Sequence, residues 1–113
     1  MTPAMFHIAL ALADGPRHGY GLMHDVAMLS RGATRLGPGT LYRSLQRMRI
    51  EALIDELPGT DAMGDERRRE YRLTRLGREA LRAEAHRLAV LVNVAVGRGV
   101  IDAAKSEPMG AGR

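Results

Sequence analysis

Apolar residues recur at helical spacing along two segments near the start of the chain. In residues 3–13 the apolar residues that share one helical face are Met5, Phe6, Ile8, Ala9 and Leu12. Gly15 and Pro16 end that pattern. A second helix is predicted from about Gly19 to Ser30. The residues expected to point inward from it are Tyr20, Met23, Val26 and Ala27.

The pattern of a third segment, which begins near residue 37, predicts a helix with an apolar side and a polar side. At 100° per residue, its apolar side consists of Leu41, Leu45, Met48 and Ala52. Arg43, Gln46 and Arg47 fall on the other side. Guanidinium and amide groups suit phosphates and the base edges of the DNA major groove. Pro38 is typical of a first helical position, and the helix is predicted to end near Glu51.

Two short runs after the third helix predict a β-hairpin. The strands are expected at residues 53–57 and 70–73, with Tyr71 and Leu73 inward, and a polar, glycine-containing loop at 58–66. Helix, turn, helix, basic helix and hairpin follow one another in the order of a winged helix-turn-helix. The arm of such a hairpin lies over the minor groove, whose narrow regions attract arginine. We therefore predict that Arg67, Arg68 and Arg69 contact DNA; the alternative is a solvated, partly neutralised loop.

Thr74 is predicted to cap a long fourth helix. Leu81, Leu88 and Ala95 lie seven residues apart, and Leu91 falls between the last two. The predicted helix is apolar nearly all round at residues 88–96, and a chain this small cannot easily bury so much apolar surface by itself. We therefore predict a homodimer. The residues assigned to dimerisation are Phe6, Leu81, Leu88, Leu91 and Ala95.

Composition narrows the class of partner. The 113 residues suit one domain, and the net charge of +4 predicts an anionic partner, either nucleic acid or a membrane surface. Without cysteine the chain forms no disulfide and no thiolate metal site, which fits a reducing cytoplasm. No apolar run approaches the ~20 residues needed to span a bilayer, and the first residues lack a signal peptide's basic region. We therefore expect a cytoplasmic protein with no membrane partner.

Three sequence blocks carry a resemblance to a known family. They are GPRHGY at 15–20, PGTLYRSLQRM at 38–48 and RRREYRLTRLG at 67–77. In this order and spacing the chain resembles PadR-type transcriptional regulators over roughly residues 4–82. The resemblance implies a mainly α fold with a small β-hairpin. Together with the pattern of the C-terminal residues, this predicts a winged helix-turn-helix at residues 1–74, a dimerisation helix at 75–105 and a disordered tail at 106–113.

The same resemblance implies further DNA contacts, and the chain departs from the family pattern at Ala52 and at Gly37, where the family often has serine as the N-cap. Thr40 and Tyr42 should also approach double-stranded DNA, although Tyr42 lies between the two faces and could instead pack against a neighbouring helix. The family usually has glycine where this chain has Ala52. If the backbone there keeps a positive φ, alanine costs about 1 kcal/mol.

The resemblance also implies repression more often than activation, and effectors such as phenolic acids and hydrophobic drugs. The chain has no tryptophan, so a flat drug cannot be held between indoles here. Met5, Phe6 and residues 88–96 could line an apolar cavity, but we favour the alternative that they are dimer core.

Other chemistry has little support in the sequence. His7, His18, His24 and His86 lack the spacing of metal ligands, so no metal is predicted. No catalytic pattern surrounds the serines and no phosphate-binding loop motif is present, so neither an enzyme nor a cofactor is expected. The alternative function is a winged-helix module that binds an acidic protein. Arginine on both the third helix and the hairpin favours DNA.

Overall fold

A computed structural model describes residues 1–57 and 69–103 of the chain. Within them the helices are α1 (Pro3–Leu12), α2 (Gly19–Leu29), α3 (Pro38–Ile50) and α4 (Arg75–Gly97). The strands are β1 (Arg17–His18), β2 (Ile54–Leu57) and β3 (Glu70–Leu73). The predicted loop at 58–66, the arginines Arg67 and Arg68, and the predicted tail at 106–113 lie outside the described residues.

The helix starts follow the capping residues of the sequence. The Thr2 hydroxyl accepts a hydrogen bond of 3.1 Å from the backbone N–H of Met5 at the start of α1. The Thr74 hydroxyl accepts one of 2.9 Å from the N–H of Gly77 at the start of α4, which confirms Thr74 as the N-cap. Each bond satisfies a helix N–H that has no partner within its helix.

The core lies between α1, α2 and α3 and is closed by the sheet and the first turns of α4. Its largest fully buried side chains are Met5, Ile8, Leu12, Leu22, Val26, Leu41, Leu45 and Met48. The prediction for Tyr20 was wrong, because this side chain is 63% exposed. Leu22 and Val26 define the buried face of α2 instead, and Tyr20 lies roughly opposite Leu22 on the helix.

The sheet is antiparallel, with β3 between β1 and β2 in the described residues. The hairpin pairs Ile54 with Leu73, and both of these side chains are buried. Strand β1 was not predicted: its two residues lie between the two helices expected from the sequence, and Arg17 pairs with Tyr71 of β3. The mainly α fold with a small antiparallel sheet is confirmed.

The junction between α3 and β2 contains the left-handed residue anticipated from the sequence. Ala52 has a φ of 62°. The N–H of Leu53 donates to the Met48 carbonyl at 2.8 Å across the end of α3. The Thr74 hydroxyl donates to the Ala52 carbonyl at 2.7 Å, so the start of α4 is fastened to this turn.

Candidate nucleic-acid interface

Helix α3 separates an apolar from a polar side, as its sequence predicts. The prediction for Ala52 on the apolar side was wrong, because α3 ends at Ile50 and Ala52 is an exposed residue with a φ of 62°. Leu41, Leu45 and Met48 are at most 1% exposed, whereas Arg43, Gln46 and Arg47 lie on the exposed side. Residues 30–37 join α2 to α3, and positive φ values of 54° at Arg31 and 83° at Gly32 reverse the chain there. The structure therefore brings the three predicted side chains together on one exposed surface.

The N-terminal half of this surface suits an anionic ligand. The first turn of α3 holds no acidic residue, and a helix N-terminus carries partial positive charge. Exposed Thr40 accepts a long hydrogen bond of 3.5 Å from the Arg43 guanidinium. One turn later, the Arg47 Nε lies 2.8 Å from the Glu51 carboxylate. An exposed pair of this kind is worth less than about 1 kcal/mol, so Arg47 can exchange Glu51 for phosphate.

Tyr42 occupies the position between the two faces. Its side chain is half-buried and packs against the core. A Cβ atom added at Gly19 would lie 3.2 Å from the Tyr42 hydroxyl oxygen, so the ring sits against the start of α2. This is the packing arrangement that was one of the two alternatives for Tyr42.

The wing, which is the hairpin of β2 and β3, is joined to α3 through a carboxylate that sequence reasoning did not identify. Glu56 of β2 lies 2.7 Å from Nη1 of Arg49 on α3 and 2.6 Å from Nη1 of Arg69 just before β3. Its side chain is only 14% exposed. Arg69, which is predicted to contact DNA, therefore uses one part of its guanidinium to bind Glu56.

The sequence of the chain matches the family model of the transcriptional regulator PadR-like family over residues 8–83. The chain belongs to the PadR-like family. The resemblance seen in the three sequence blocks is thereby confirmed. Membership implies that the protein regulates transcription by binding DNA and is not an enzyme.

Two relatives agree with PadR membership to different extents. The chain is 36% identical over 92 residues to the transcriptional regulator Rv3488 of Mycobacterium tuberculosis, and the match covers 80% of each protein. It is 41% identical over 88 residues to an uncharacterized 37.1 kDa protein in transposon TN4556 of Streptomyces fradiae. That match covers 78% of this chain but 24% of the relative, so the chain spans about a quarter of that protein's length.

Solved structures show the same PadR fold. A PadR family transcription regulator from Clostridium difficile matches with a TM-score of 0.69 and 24% identity over 83% of this chain and 95% of that one. A PadR-like regulator from Bacillus cereus matches with a TM-score of 0.65 and 23% identity over 85% of this chain and 89% of that one. At these identities the likeness concerns the winged-helix fold.

The PadR C-terminal helix, α4, carries most of the residues that were assigned to dimerisation. Leu91 is 52% exposed, and Leu88 and Ala95 are half-buried. Leu81 is 8% exposed and belongs to the core of its own chain, which leaves little of it for a partner. Phe6 is half-buried against that core.

Further exposed apolar residues surround this part of α4. Val90, Val92 and Val94 are each between 41% and 47% exposed. Closer to the helix start, the Arg87 guanidinium donates two hydrogen bonds, of 3.0 and 2.6 Å, to the Glu84 carboxylate. These bonds lower the pKa of Glu84 below its ordinary value.

Within residues 1–57 and 69–103, no three side chains of the metal-ligating types lie close enough together to bind a metal ion. The four histidines are spread over α1, β1, α2 and α4. The Nδ1–H of His7 donates a hydrogen bond of 2.7 Å to the Pro3 carbonyl, and the Nε2 of His18 lies 3.6 Å from the Glu70 carboxylate. No helix within the described ranges has the length and apolar composition that a membrane crossing requires.

Proposed function

We propose that this PadR-family protein is a sequence-specific regulator, acting as a repressor, that binds a pseudo-palindromic operator as a homodimer. The observation that carries the proposal is the two-sided character of α3. Leu41, Leu45 and Met48 on its apolar side are fully buried, so the opposite side, with two arginines and a glutamine, is held rigidly toward solvent. Rigid elements present base-reading side chains more accurately than loops do.

The residues on that side suit the major groove. Arginine pairs in bidentate fashion with guanine, and glutamine pairs with adenine, so Arg43, Arg47 and Gln46 would read bases. Thr40, which is exposed near the start of α3, would approach the DNA backbone, whereas the packing of Tyr42 against the core and the start of α2 favours the alternative of a structural role for Tyr42. The wing arginines Arg67, Arg68 and Arg69 would reach the minor groove or phosphates and supply affinity more than sequence choice.

The exposed apolar residues of α4 support the homodimer. Several valine and leucine side chains of residues 88–96 are exposed to solvent in a single chain, and a second copy of the helix would cover them. Two recognition helices related by a twofold axis would read half-sites about one DNA turn apart, ~34 Å, or a multiple of it.

Regulation by a small hydrophobic or phenolic effector fits this arrangement. An effector bound beside the apolar dimer contact would have to bind more tightly to one spacing of the recognition helices than to the other. Its differential affinity would then shift the dimer away from the spacing that fits the operator.

Selection of bound fragments from the organism's own genomic DNA tests the proposal, at roughly 150 mM salt so that non-specific phosphate binding is suppressed. We expect one palindromic motif to be recovered. Weak binding to every fragment, lost steeply as salt rises, would contradict sequence-specific recognition. That result would favour the alternative of a winged-helix module whose arginines meet an acidic protein.

A further inference from the structure

The environment of Glu56 differs from that of the other acidic residues on the wing side of the molecule. Strand β2 alternates, so Ile54 and Glu56 share the face that turns toward the core, while Asp55 lies on the opposite face. Ile54 lies opposite buried Leu73, and Glu56 lies opposite buried Tyr71. The end of the hairpin therefore places a carboxylate where the pattern of the strand would otherwise place an apolar side chain.

Two guanidiniums meet this carboxylate, one on each oxygen. Oε1 lies 2.7 Å from Arg49, near the end of α3, and Oε2 accepts a hydrogen bond of 2.6 Å from Arg69. By contrast, Asp55 and Arg72 on the outer face lie 3.6 Å apart, and both are 54% exposed. Short, charge-assisted bonds to a largely buried carboxylate fix geometry far better than an exposed pair does.

The two arginines belong to the two elements that would face DNA. Arg49 and Arg69 are 50% and 41% exposed, so each guanidinium also reaches solvent. A guanidinium has five N–H donors, and the hydrogen bond from Nη1 to Glu56 leaves others for phosphate oxygens. The carboxylate thus determines where these donors point, and its charge offsets one of the two positive charges.

We propose that Glu56 is a positioning residue for DNA recognition, which holds Arg49 of α3 and Arg69 of the wing in one relative orientation. The inference rests on the proposed function. Without the carboxylate, two like charges would repel, their side chains would gain rotamer freedom, and the surface would carry one more positive charge. Attraction to any phosphate backbone should then rise while discrimination between sequences falls.

The substitution Glu56→Gln tests this with little change of shape, and Asp55→Asn is its matched control. Both remove one negative charge from the same strand, but only the first alters the contacts to Arg49 and Arg69. Binding would be measured by fluorescence anisotropy over a range of salt concentrations. The two probes are the tightest duplex recovered by genomic selection and a duplex of the same bases in shuffled order.

For Glu56→Gln we expect the ratio of the two affinities to fall roughly tenfold, the scale of one misplaced arginine contact. Binding to the shuffled duplex should strengthen, and its salt dependence should steepen by up to about 1 in slope for an added phosphate contact. Asp55→Asn should leave the affinity ratio within about twofold of the unchanged protein, because an exposed pair contributes little. An equal effect of both variants, or an unchanged ratio in Glu56→Gln, would overturn the proposal.

A second comparison separates positioning from a structural role. In a background with Arg49→Gln and Arg69→Gln, the further change Glu56→Gln should not alter the affinity ratio, because nothing remains to be positioned. A further loss in that background would show that Glu56 acts otherwise and would also overturn the proposal. If Glu56→Gln alone does not fold, Arg69→Gln removes the contact between Glu56 and Arg69 from its more exposed partner. This variant must then lower the ratio of the affinities for the selected and shuffled duplexes. Failure of the proposed function itself is distinguishable, because the unchanged protein would then prefer neither duplex.

Discussion

Ala52, just after the end of α3, is a residue whose backbone conformation bears on the stability of the fold. Its φ of 62° lies in the left-handed region, where a side chain collides with the backbone. The chain accepts this because the turn must bring Leu53 into the core and Ile54 into the sheet immediately after α3.

We expect Ala52→Gly to raise the free energy of unfolding by about 1 kcal/mol, since the relief of strain exceeds the extra entropy of glycine in the unfolded chain. Urea denaturation followed by circular dichroism measures this. Ala83→Gly, at an exposed position within α4, is the control and should lower stability by about 1 kcal/mol. Destabilisation by both substitutions would contradict the strain at Ala52.

At the scale of elements, α4 is held against the α3–β2 turn by close backbone approach. The N–H of Thr74 donates to the Leu53 carbonyl at 3.0 Å, and Gly77 passes directly over that carbonyl. A Cβ atom at Gly77 would collide with the Leu53 carbonyl oxygen and lie 3.1 Å from Cδ2 of Leu73. The contact fixes the position of the first turn of α4 against the α3–β2 turn.

We expect Gly77→Ala to lower the free energy of unfolding by about 1–3 kcal/mol, because the first turn of α4 must move away from the sheet. Gly97→Ala makes the same change at the other end of α4, where nothing lies within 4 Å, and it should be neutral or stabilising. Thermal melting of both variants compares them directly. Equal melting temperatures for the two would mean that the close approach is not rigid.

The elements best predicted from the sequence are those whose signals are local. The two faces of α3 follow from helical spacing, and the cap at Thr74 follows from the residue type at a helix start. Strand β1 could not be predicted in this way, because its two residues are a strand only through pairing with β3, more than fifty positions later. Tyr20 was misplaced because the buried face of α2 is set by packing against α1 and α3.

The residues of the candidate site also divide into those with a local sequence signal and those whose role depends on distant contacts. Arg43, Gln46 and Arg47 were found from their spacing on one helix. Glu56 was missed because a charged residue in a short strand is ordinarily assigned to the solvent face. The alternation of β2 contained the signal, since Glu56 shares the face of Ile54. Its interpretation nevertheless required the positions of Arg49 and Arg69, which come from two other parts of the chain.

At the scale of the whole molecule, the proposed homodimer depends on the exposed apolar residues of α4. We expect the 12.3 kDa chain to sediment at about twice its mass, and Leu91→Arg to raise the dimer dissociation constant about 30-fold or more. That estimate corresponds to about 2 kcal/mol for a central apolar contact. Sedimentation equilibrium measures both.

The control for this prediction is Leu76→Arg. Leu76 is 51% exposed, close to the 52% of Leu91, but it lies at the start of α4 outside residues 88–96. It should leave the dimer intact. A monomeric unchanged protein, or equal effects of the two substitutions, would contradict the assignment of the interface to the apolar part of α4.

The central claim, that the exposed side of α3 reads DNA, is tested most directly by the affinity of Arg43→Glu for the selected operator duplex. Charge reversal removes a base contact and adds repulsion, so we expect affinity to fall about 100-fold or more, with the dimer retained on sedimentation. Arg82→Glu makes the same change at an exposed position on α4 and should have a far smaller effect. Undiminished operator binding by Arg43→Glu would show that α3 is not the recognition helix.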